Sequence, residues 1–132
     1  MSLGKRARKI VDLPLGAPVA PALKGAPPAP AEPVIRVGLR PLTSGEIHET
    51  LARARADAVA HGVTHPQEGN PTYDLAEMEW TLLLCCVDPD VPEGSAPVPF
   101  FASIEEIRTA PDLGRERVAF LYARWKLWQL EM

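Results

Sequence analysis

The sequence contains little cysteine, and its two cysteines are placed where they cannot bond to each other within a helix. Cys85 and Cys86 are the only cysteines in 132 residues, and they are neighbours in a stretch that we predict to be helical. Side chains of adjacent helical residues point about 100° apart, so we expect two free, buried thiols. Buried free thiols are typical of proteins in a reducing compartment. The sequence therefore argues against a disulfide-stabilised secreted domain.

Long apolar runs are also missing. The run from Leu82 to Val87 is far shorter than the roughly 20 residues that a membrane-spanning helix needs. The basic start K-R-A-R-K at residues 5–9 is followed by I-V-D-L-P-L-G. That segment is too short and too interrupted for the apolar part of a secretory signal peptide. We therefore expect no membrane span, no signal peptide and a cytoplasmic location.

Motifs for catalysis or metal binding are scarce. His61 and His65 have the spacing of zinc ligands on a helix, but Pro66 and the glycine at position 62 disfavour a helix there. Glu105 and Glu106 lie in a predicted first helical turn, with no nucleophile and base beside them. No glycine-rich phosphate loop follows the predicted strand. The sequence predicts no enzyme, metal site or cofactor.

Proline and charge divide the chain at residue 33. Residues 1–33 hold seven of the 15 prolines and carry a formal charge of +3, whereas residues 34–132 carry −6. A segment rich in proline and alanine is extended in isolation. Four basic residues near the start would attract nucleic acid only weakly, and the acidic remainder opposes it. We predict an extended arm over 1–33, a helical domain over 34–132 and no nucleic-acid partner.

The stretch Asn70–Val87 predicts the central helix of this domain. Asn70 and Pro71 suit the N-cap and the first helical position. Asp88 should end the helix, because a residue before proline is disfavoured in the α conformation. The apolar residues of the stretch repeat at helical spacing and become apolar on all sides toward its end, which requires enclosure. The predicted core residues are Leu75, Met78, Trp80, Leu82 and Leu83, together with Trp125 of the last helix.

One strand is predicted, at residues 34–41, where apolar and other residues alternate before a proline. A lone strand has unpaired backbone groups, so it must pair with another part of the arm or with another molecule. A short apolar segment of the arm, with Ile10, Val11 and Leu13, could dock on a partner or fold back on the domain. We assign it as an anchoring segment for a partner.

Three further helices are predicted. Capping boxes at 43–46 and 103–106 begin two of them. The first should end near Gly62 and the second at Pro111, and a last helix should run from about Asp112 to the C-terminus. The predicted fold class is therefore mainly α: a small domain of about four helices, with one short N-terminal strand and an extended Pro/Ala-rich arm.

The last predicted helix has two apolar sides. Val118, Leu121 and Trp125 lie on one side, which is sufficient to dock the helix on its domain. A second apolar side implies contact with another protein, or a helix enclosed on both sides within its own domain. The side that we assign to a partner comprises Phe120, Leu127 and Leu130.

The order of these parts resembles a known family. The segments of this chain that carry the resemblance lie within residues 34–132. In order they are V-G-L-R-P-L-T-S-G-E-I, Y-D-L-A-E-M-E-W, C-V-D-P-D, P-F-F-A-S-I-E-E-I and L-G-R-E-R-V-A-F-L-Y. In this order they resemble the small helical tail assembly chaperones of long-tailed phages and prophages. These elements are caps, turns and core positions, without a catalytic signature. The long Pro/Ala arm departs from the simplest version of that pattern.

The resemblance implies a non-enzymatic assembly factor that binds the tape-measure protein and helps tail-tube subunits assemble around it. It would act in the host cytoplasm, and it could form homo-oligomers or stay in the virion. The alternative is a permanent structural subunit of a phage tail, neck or baseplate, whose N-terminal arm is ordered by neighbouring subunits. The presence of the protein in purified mature particles would distinguish the two.

Overall fold

The structure, a computed structural model, describes residues 8–14, 34–92 and 95–131. These residues form three strands and four helices, so the predicted mainly-α class is confirmed. None of the described helices is long and apolar enough to cross a bilayer. The remainder of the predicted arm, residues 1–7 and 15–33, lies outside the described residues. In chain order the elements are β1 (Lys9–Pro14), β2 (Val34–Leu39), α1 (Ser44–Ala60), α2 (Pro71–Cys85), β3 (Cys86–Val87), α3 (Ile104–Thr109) and α4 (Arg115–Glu131).

Helix α2 is the centre of the fold, because it packs against α1, α3, α4 and β3. Its N-terminus forms as predicted. The side-chain oxygen of Asn70 accepts hydrogen bonds from the backbone N–H groups of Thr72 and Tyr73, at 3.0 and 3.1 Å. Pro71 occupies the first turn, where its missing N–H has no cost. The prediction of a central helix starting at this cap is confirmed.

The end of α2 was predicted wrongly. The helix stops at Cys85, and Cys86 adopts extended backbone as the first residue of β3. Tertiary hydrogen bonds explain this early stop: the N–H of Arg40 donates to the Cys85 carbonyl at 2.9 Å, and that of Phe100 donates to the Cys86 carbonyl at 3.0 Å. Both thiols are free and buried, as expected. Burial raises the pKa of the Cys85 thiol well above its usual range.

The predicted strand is β2, the middle strand of a three-stranded antiparallel sheet in the order β1-β2-β3. β1 pairs with β2 along its whole length, from Lys9 opposite Leu39 to Pro14 opposite Val34. The prediction of a single strand was therefore wrong, and the partner of β2 is a part of the arm. Residues 9–14 therefore belong to the same sheet as β2 and β3 of the helical domain.

Gly38 allows β2 and β3 to approach closely. A Cβ at this position would lie 2.9 Å from the carbonyl oxygen of Val87 and 3.0 Å from its Cγ2. The first of these atoms belongs to the backbone, so it cannot move aside as the end of a flexible side chain could. A larger residue at position 38 would push β3, and with it the end of α2, away from the sheet.

The other helix starts were predicted from local signals. The capping box of α1 is complete: Thr43 accepts from the N–H of Glu46, and Glu46 accepts from the N–H of Thr43. The box of α3 forms in part, because Glu106 accepts from the N–H of Ala102 instead of that of Ser103. α1 ends at Ala60, two residues before Gly62, which has a φ of 91°. α4 starts at Arg115, three residues later than predicted.

The core consists of two clusters on different sides of α2. The main cluster joins the sheet, α2, α3 and α4 through large apolar side chains. The smaller cluster joins α1 to α2 and comprises Ala54, Ala58, Tyr73 and Ala76. Among the predicted core residues, Leu82 and Trp125 are buried in the main cluster. Leu75, Met78 and Leu83 are partly buried against the main cluster, and Trp80 is partly buried against the smaller one.

Candidate interaction surface and buried ion cluster

One side of α4 is docked firmly on the domain. Val118, Leu121 and Trp125 are buried in the main cluster. The indole N–H of Trp125 donates to the carbonyl of Arg40 at 3.0 Å. Near the end of the helix, the side-chain oxygen of Gln129 accepts from the N–H of Leu42 at 3.0 Å. These bonds to the segment between β2 and α1 fix the last turns of α4 to the body of the protein.

The opposite side of α4 carries an apolar stripe formed by Phe120, Ala123, Leu127 and Leu130, spaced three or four residues apart. Leu127 and Leu130 are 61% and 76% exposed, the highest values among the large hydrophobic residues described. Phe120 is different: it is partly buried and packs against the main cluster. Of the three residues assigned to a partner from the sequence, Leu127 and Leu130 are thus the ones left largely uncovered. We call this feature the α4 stripe.

Two cations flank the α4 stripe. The guanidinium carbon of Arg124 lies 5.2 Å from the centroid of the Phe120 ring, and Nζ of Lys126 lies 5.8 Å from that of Tyr122. Both side chains are exposed. Within the described part of the chain, neither forms an ion pair with a carboxylate. Positive charge therefore lies beside the exposed Leu127 and Leu130.

The anchoring segment predicted in the arm lies mostly inside the protein. Val11 and Leu13 are 7% and 2% exposed and belong to the main cluster, whereas Ile10 is 36% exposed. The assignment of Val11 and Leu13 to a partner is corrected for a physical reason: alternate residues of a strand share a face, and pairing with β2 turns this face toward the core. No described residue forms backbone hydrogen bonds with the outer edge of β1.

Sequence reasoning missed an ion cluster that joins three helices. Arg108 of α3 donates through Nη1 and Nη2 to the carboxylate of Asp57 in α1. Its Nε donates to Oε1 of Glu79 in α2 at 3.2 Å. The indole N–H of Trp80 also donates to Asp57, at 3.2 Å. We call Asp57, Glu79 and Arg108 the ion cluster. Its members are far apart in the sequence, so no local motif could have revealed it.

The two carboxylates of the ion cluster respond differently to burial. Burial acts to raise the pKa of Asp57, but hydrogen bonds from Arg108 and Trp80 outweigh it and leave that pKa lowered. Burial dominates at Glu79 and raises its pKa, despite the charge of Arg108. The hydrogen bond to Asp57 raises the pKa of Arg108. The negative charge of Asp57 is thus well compensated, whereas that of Glu79 is compensated only in part.

The ion cluster lies at one wall of an open cleft of about 390 Å³. The cleft is bordered by α1, α2, α3 and the start of α4. His61 is also at the cleft, with Nδ1 3.2 Å from Oδ1 of Asp57. The lining residues are Asp57, Ala58, His61, Pro71, Thr72, Leu75, Ala76, Glu79, Arg108 and Arg115.

The histidine pair considered as a zinc site does not lie on one helix. His61 is the C-cap of α1, and Gly62 then takes a left-handed conformation before His65. In the ranges that the structure describes, no group of three or more His, Cys, Asp or Glu side chains is placed to hold a metal ion.

No protein-family model matches the chain, and neither the curated proteins nor the solved structures include a significant match. Function is therefore inferred from the surfaces of the chain itself, together with the order of its sequence elements.

Proposed function

We propose that this protein is a non-enzymatic assembly factor that binds another protein through the α4 stripe. The observation that carries the proposal is the exposure of Leu127 and Leu130 on a helix whose opposite side is buried and hydrogen-bonded. Exposing two leucines to water opposes the burial that drives folding. A rigid helix that presents them is suited to docking, since little order must be gained on binding.

The partner surface that fits best is an amphipathic helix with an acidic border. A helix in contact with the α4 stripe would bury its own apolar residues at spacings of three and four. Its carboxylates would lie near Arg124 and near Lys126, whose charge also acts on Glu77. A second copy of the same stripe would instead bring cations together. We therefore assign the stripe to a different protein rather than to self-association.

The biological setting that we propose is the assembly of a phage tail or tail-like particle. The support is the resemblance of residues 34–132, in the order of their elements, to tail assembly chaperones. In that setting the partner would be the tape-measure protein or a tail-tube protein, both of which are other subunits of the particle. The protein would act in the host cytoplasm.

The second candidate is a permanent subunit of a tail, neck or baseplate. One observation favours it: in the described part of the chain, the outer edge of β1 has no backbone partner. A strand from a neighbouring subunit could extend the sheet at that edge. Mass spectrometry of purified mature particles separates the candidates, because an assembly factor leaves before maturation and a subunit remains at a fixed copy number.

The proposed function is tested by co-expression with the tape-measure and tail-tube proteins of the genome that encodes this chain. We expect one of them to co-purify with the wild type and not with the double variant Leu127→Asp, Leu130→Asp. Val59→Asp is the matched control, because Val59 is also a largely exposed apolar residue of a helix, at 54%. It should leave binding unchanged.

Thermal unfolding and sedimentation complete this test. The double variant should melt within a few degrees of the wild type, since exposed substitutions change stability by less than about 0.5 kcal/mol. Sedimentation should show a monomer for both. Unfolding of the double variant would place the stripe in the core. A wild-type dimer that the same variant dissociates would assign the stripe to self-association, and either result overturns the proposal.

A further inference from the structure

The cleft between α1, α2, α3 and the start of α4 has the dimensions of a small-molecule site. Its volume of about 390 Å³ falls in the range of about 300–1,000 Å³ that is typical of ligand pockets. Its walls combine aliphatic side chains with charged groups, and Leu75, Ala58 and Ala76 supply the aliphatic part. This composition favours a ligand with a short apolar body and charged ends.

The inner wall of the cleft carries an unbalanced negative charge. The ion cluster contains two carboxylates and one guanidinium group. The Glu79 side chain is only 10% exposed, and its Oε1 accepts from Arg108. No described residue donates a hydrogen bond to the other oxygen, Oε2. No buried side-chain oxygen of the described residues lacks a hydrogen-bond partner, so Oε2 is accessible to solvent. A ligand that brings a cation can therefore donate to it in a charge-assisted hydrogen bond.

The rim of the cleft carries a positive charge. Arg115, at the first residue of α4, lines the cleft and is exposed. It forms no ion pair with any residue that the structure describes. An exposed guanidinium group is well suited to a carboxylate, which it can contact through two parallel hydrogen bonds. The cleft is therefore negative inside and positive at its rim.

We propose that this cleft binds a small zwitterion, with an ammonium group at Oε2 of Glu79 and a carboxylate group at Arg115. The ligand class is an amino acid or a short ω-amino acid whose methylene groups lie against Leu75. This inference is independent of the α4 stripe, because Arg115 is in the first turn of α4 and the stripe residues Leu127 and Leu130 are in its last turns.

The test is a titration of the labelled full-length protein, followed by amide chemical shifts, with glycine, β-alanine, 4-aminobutyrate and 6-aminohexanoate. The length series is needed because it measures the separation of the two charged sites. We expect saturable shifts for residues 57–61 and 72–79 with at least one member, with a dissociation constant on the order of 1 mM. Butylamine and butyrate, which each carry one of the two charges, should bind at least about tenfold more weakly.

Two variants assign the ends of the ligand. Arg115→Gln should weaken binding of the zwitterion at least about tenfold and leave butylamine unchanged. Glu79→Gln should weaken both. Arg124→Gln is the matched control on the same helix, away from the cleft, and should change neither. Because Arg115 is exposed, we expect Arg115→Gln to fold. If Glu79→Gln does not fold, the binding measured for Arg115→Gln decides the test.

Three outcomes would overturn the proposal. The first is the absence of saturable shifts with any member of the series at concentrations well above the expected dissociation constant. The second is equal binding of butylamine and the best zwitterion, which would leave Arg115 without a role. The third is unchanged binding in Arg115→Gln. Failure here would leave the α4 stripe unaffected, because its test uses a different surface and a protein ligand.

Discussion

The two sides of α2 are held by different kinds of contact. Toward the sheet, α3 and α4, the helix buries large apolar side chains in the main cluster. Toward α1, it meets alanines. The ion cluster lies beside this contact, where Arg108 of α3 reaches Glu79 of α2 and Asp57 of α1. One side is stabilised mainly by removal of apolar surface from water, at about 25 cal/mol per Å². The other depends on close approach of two helices and on the pairing of buried charges.

This difference determines how each side can fail. The main cluster fails when volume is lost, because surrounding atoms relax only in part around a cavity. The side toward α1 fails when volume is added, or when one charge is left without its partner. Buried ion pairs contribute little net stability compared with apolar replacements, yet they are costly to break. The following substitutions test this contrast in order of decreasing effect.

The largest effect is expected for Leu82→Ala. Leu82 is fully buried in the main cluster, and we expect a loss of about 3–5 kcal/mol in the free energy of unfolding. Urea denaturation measures it. Leu83→Ala removes the same atoms from a partly buried neighbour and should lose less than half as much. Equal losses would mean that the two leucines are equally enclosed.

Breaking the ion cluster should have the next largest effect. Arg108→Met leaves Asp57 and Glu79 without their shared cation. The Arg108 side chain is 24% exposed, so we expect a loss of about 2–3 kcal/mol, below the 3–5 typical of fully buried pairs. Arg53→Met breaks an exposed pair with Glu49 and should cost less than about 1 kcal/mol. A second change, Glu79→Gln, should recover part of the Arg108→Met loss.

Crowding the contact between α1 and α2 should cost somewhat less. Ala58 is fully buried in the smaller cluster, and Ala58→Leu adds atoms where two helices meet. We expect a loss of about 2 kcal/mol in the free energy of unfolding. Ala56→Leu makes the same change at an exposed position of the same helix and should be nearly neutral. A neutral Ala58→Leu would show unfilled space between α1 and α2.

The smallest effect concerns pH, and it has opposite signs for the two carboxylates. The lowered pKa of Asp57 means that its stabilising contribution is present above pH 3.8 and is lost as the pH falls through its folded pKa. The raised pKa of Glu79 means that its contribution is present below pH 4.5 and is lost as the pH rises through its folded pKa.

Denaturation of the wild type, Asp57→Asn and Glu79→Gln between pH 2 and 7 tests these signs. With rising pH, the wild type should gain stability relative to Asp57→Asn and lose stability relative to Glu79→Gln. A gain relative to both variants would show that Arg108 compensates both carboxylates fully.

The starts of α1, α2 and α3 could be predicted because their causes are local. Thr43, Asn70 and Ser103 each accept a hydrogen bond from a backbone N–H two or three residues later. Such bonds depend only on neighbouring residues. The exposed Leu127 and Leu130 were also predicted from helical spacing, since one apolar side is sufficient to dock a helix.

The strand pairing and the ion cluster could not be predicted in this way. β1 is separated from β2 by the segment 15–33, and Arg108 is far from Asp57 in sequence. The alternation of β2 indicated a strand without identifying its partner. The burial of Val11 and Leu13 depends on that partner, and so does the exposure of Ile10.

By itself, the sequence determined where α1, α2 and α3 begin, that α2 is enclosed, and that α4 has more apolar surface than one contact requires. These properties follow from hydrogen bonds and side-chain spacing within a few residues. Only the tertiary structure decided that α2 ends at Cys85, that part of the arm joins the sheet, and that Arg108 holds Asp57 and Glu79. Each of these depends on groups that only the folded chain brings together. The backbone of β2 shows the reason, because it has hydrogen-bonding groups on two edges that many segments could pair with. Packing of the whole chain selects β1 and β3 as the strands that do so.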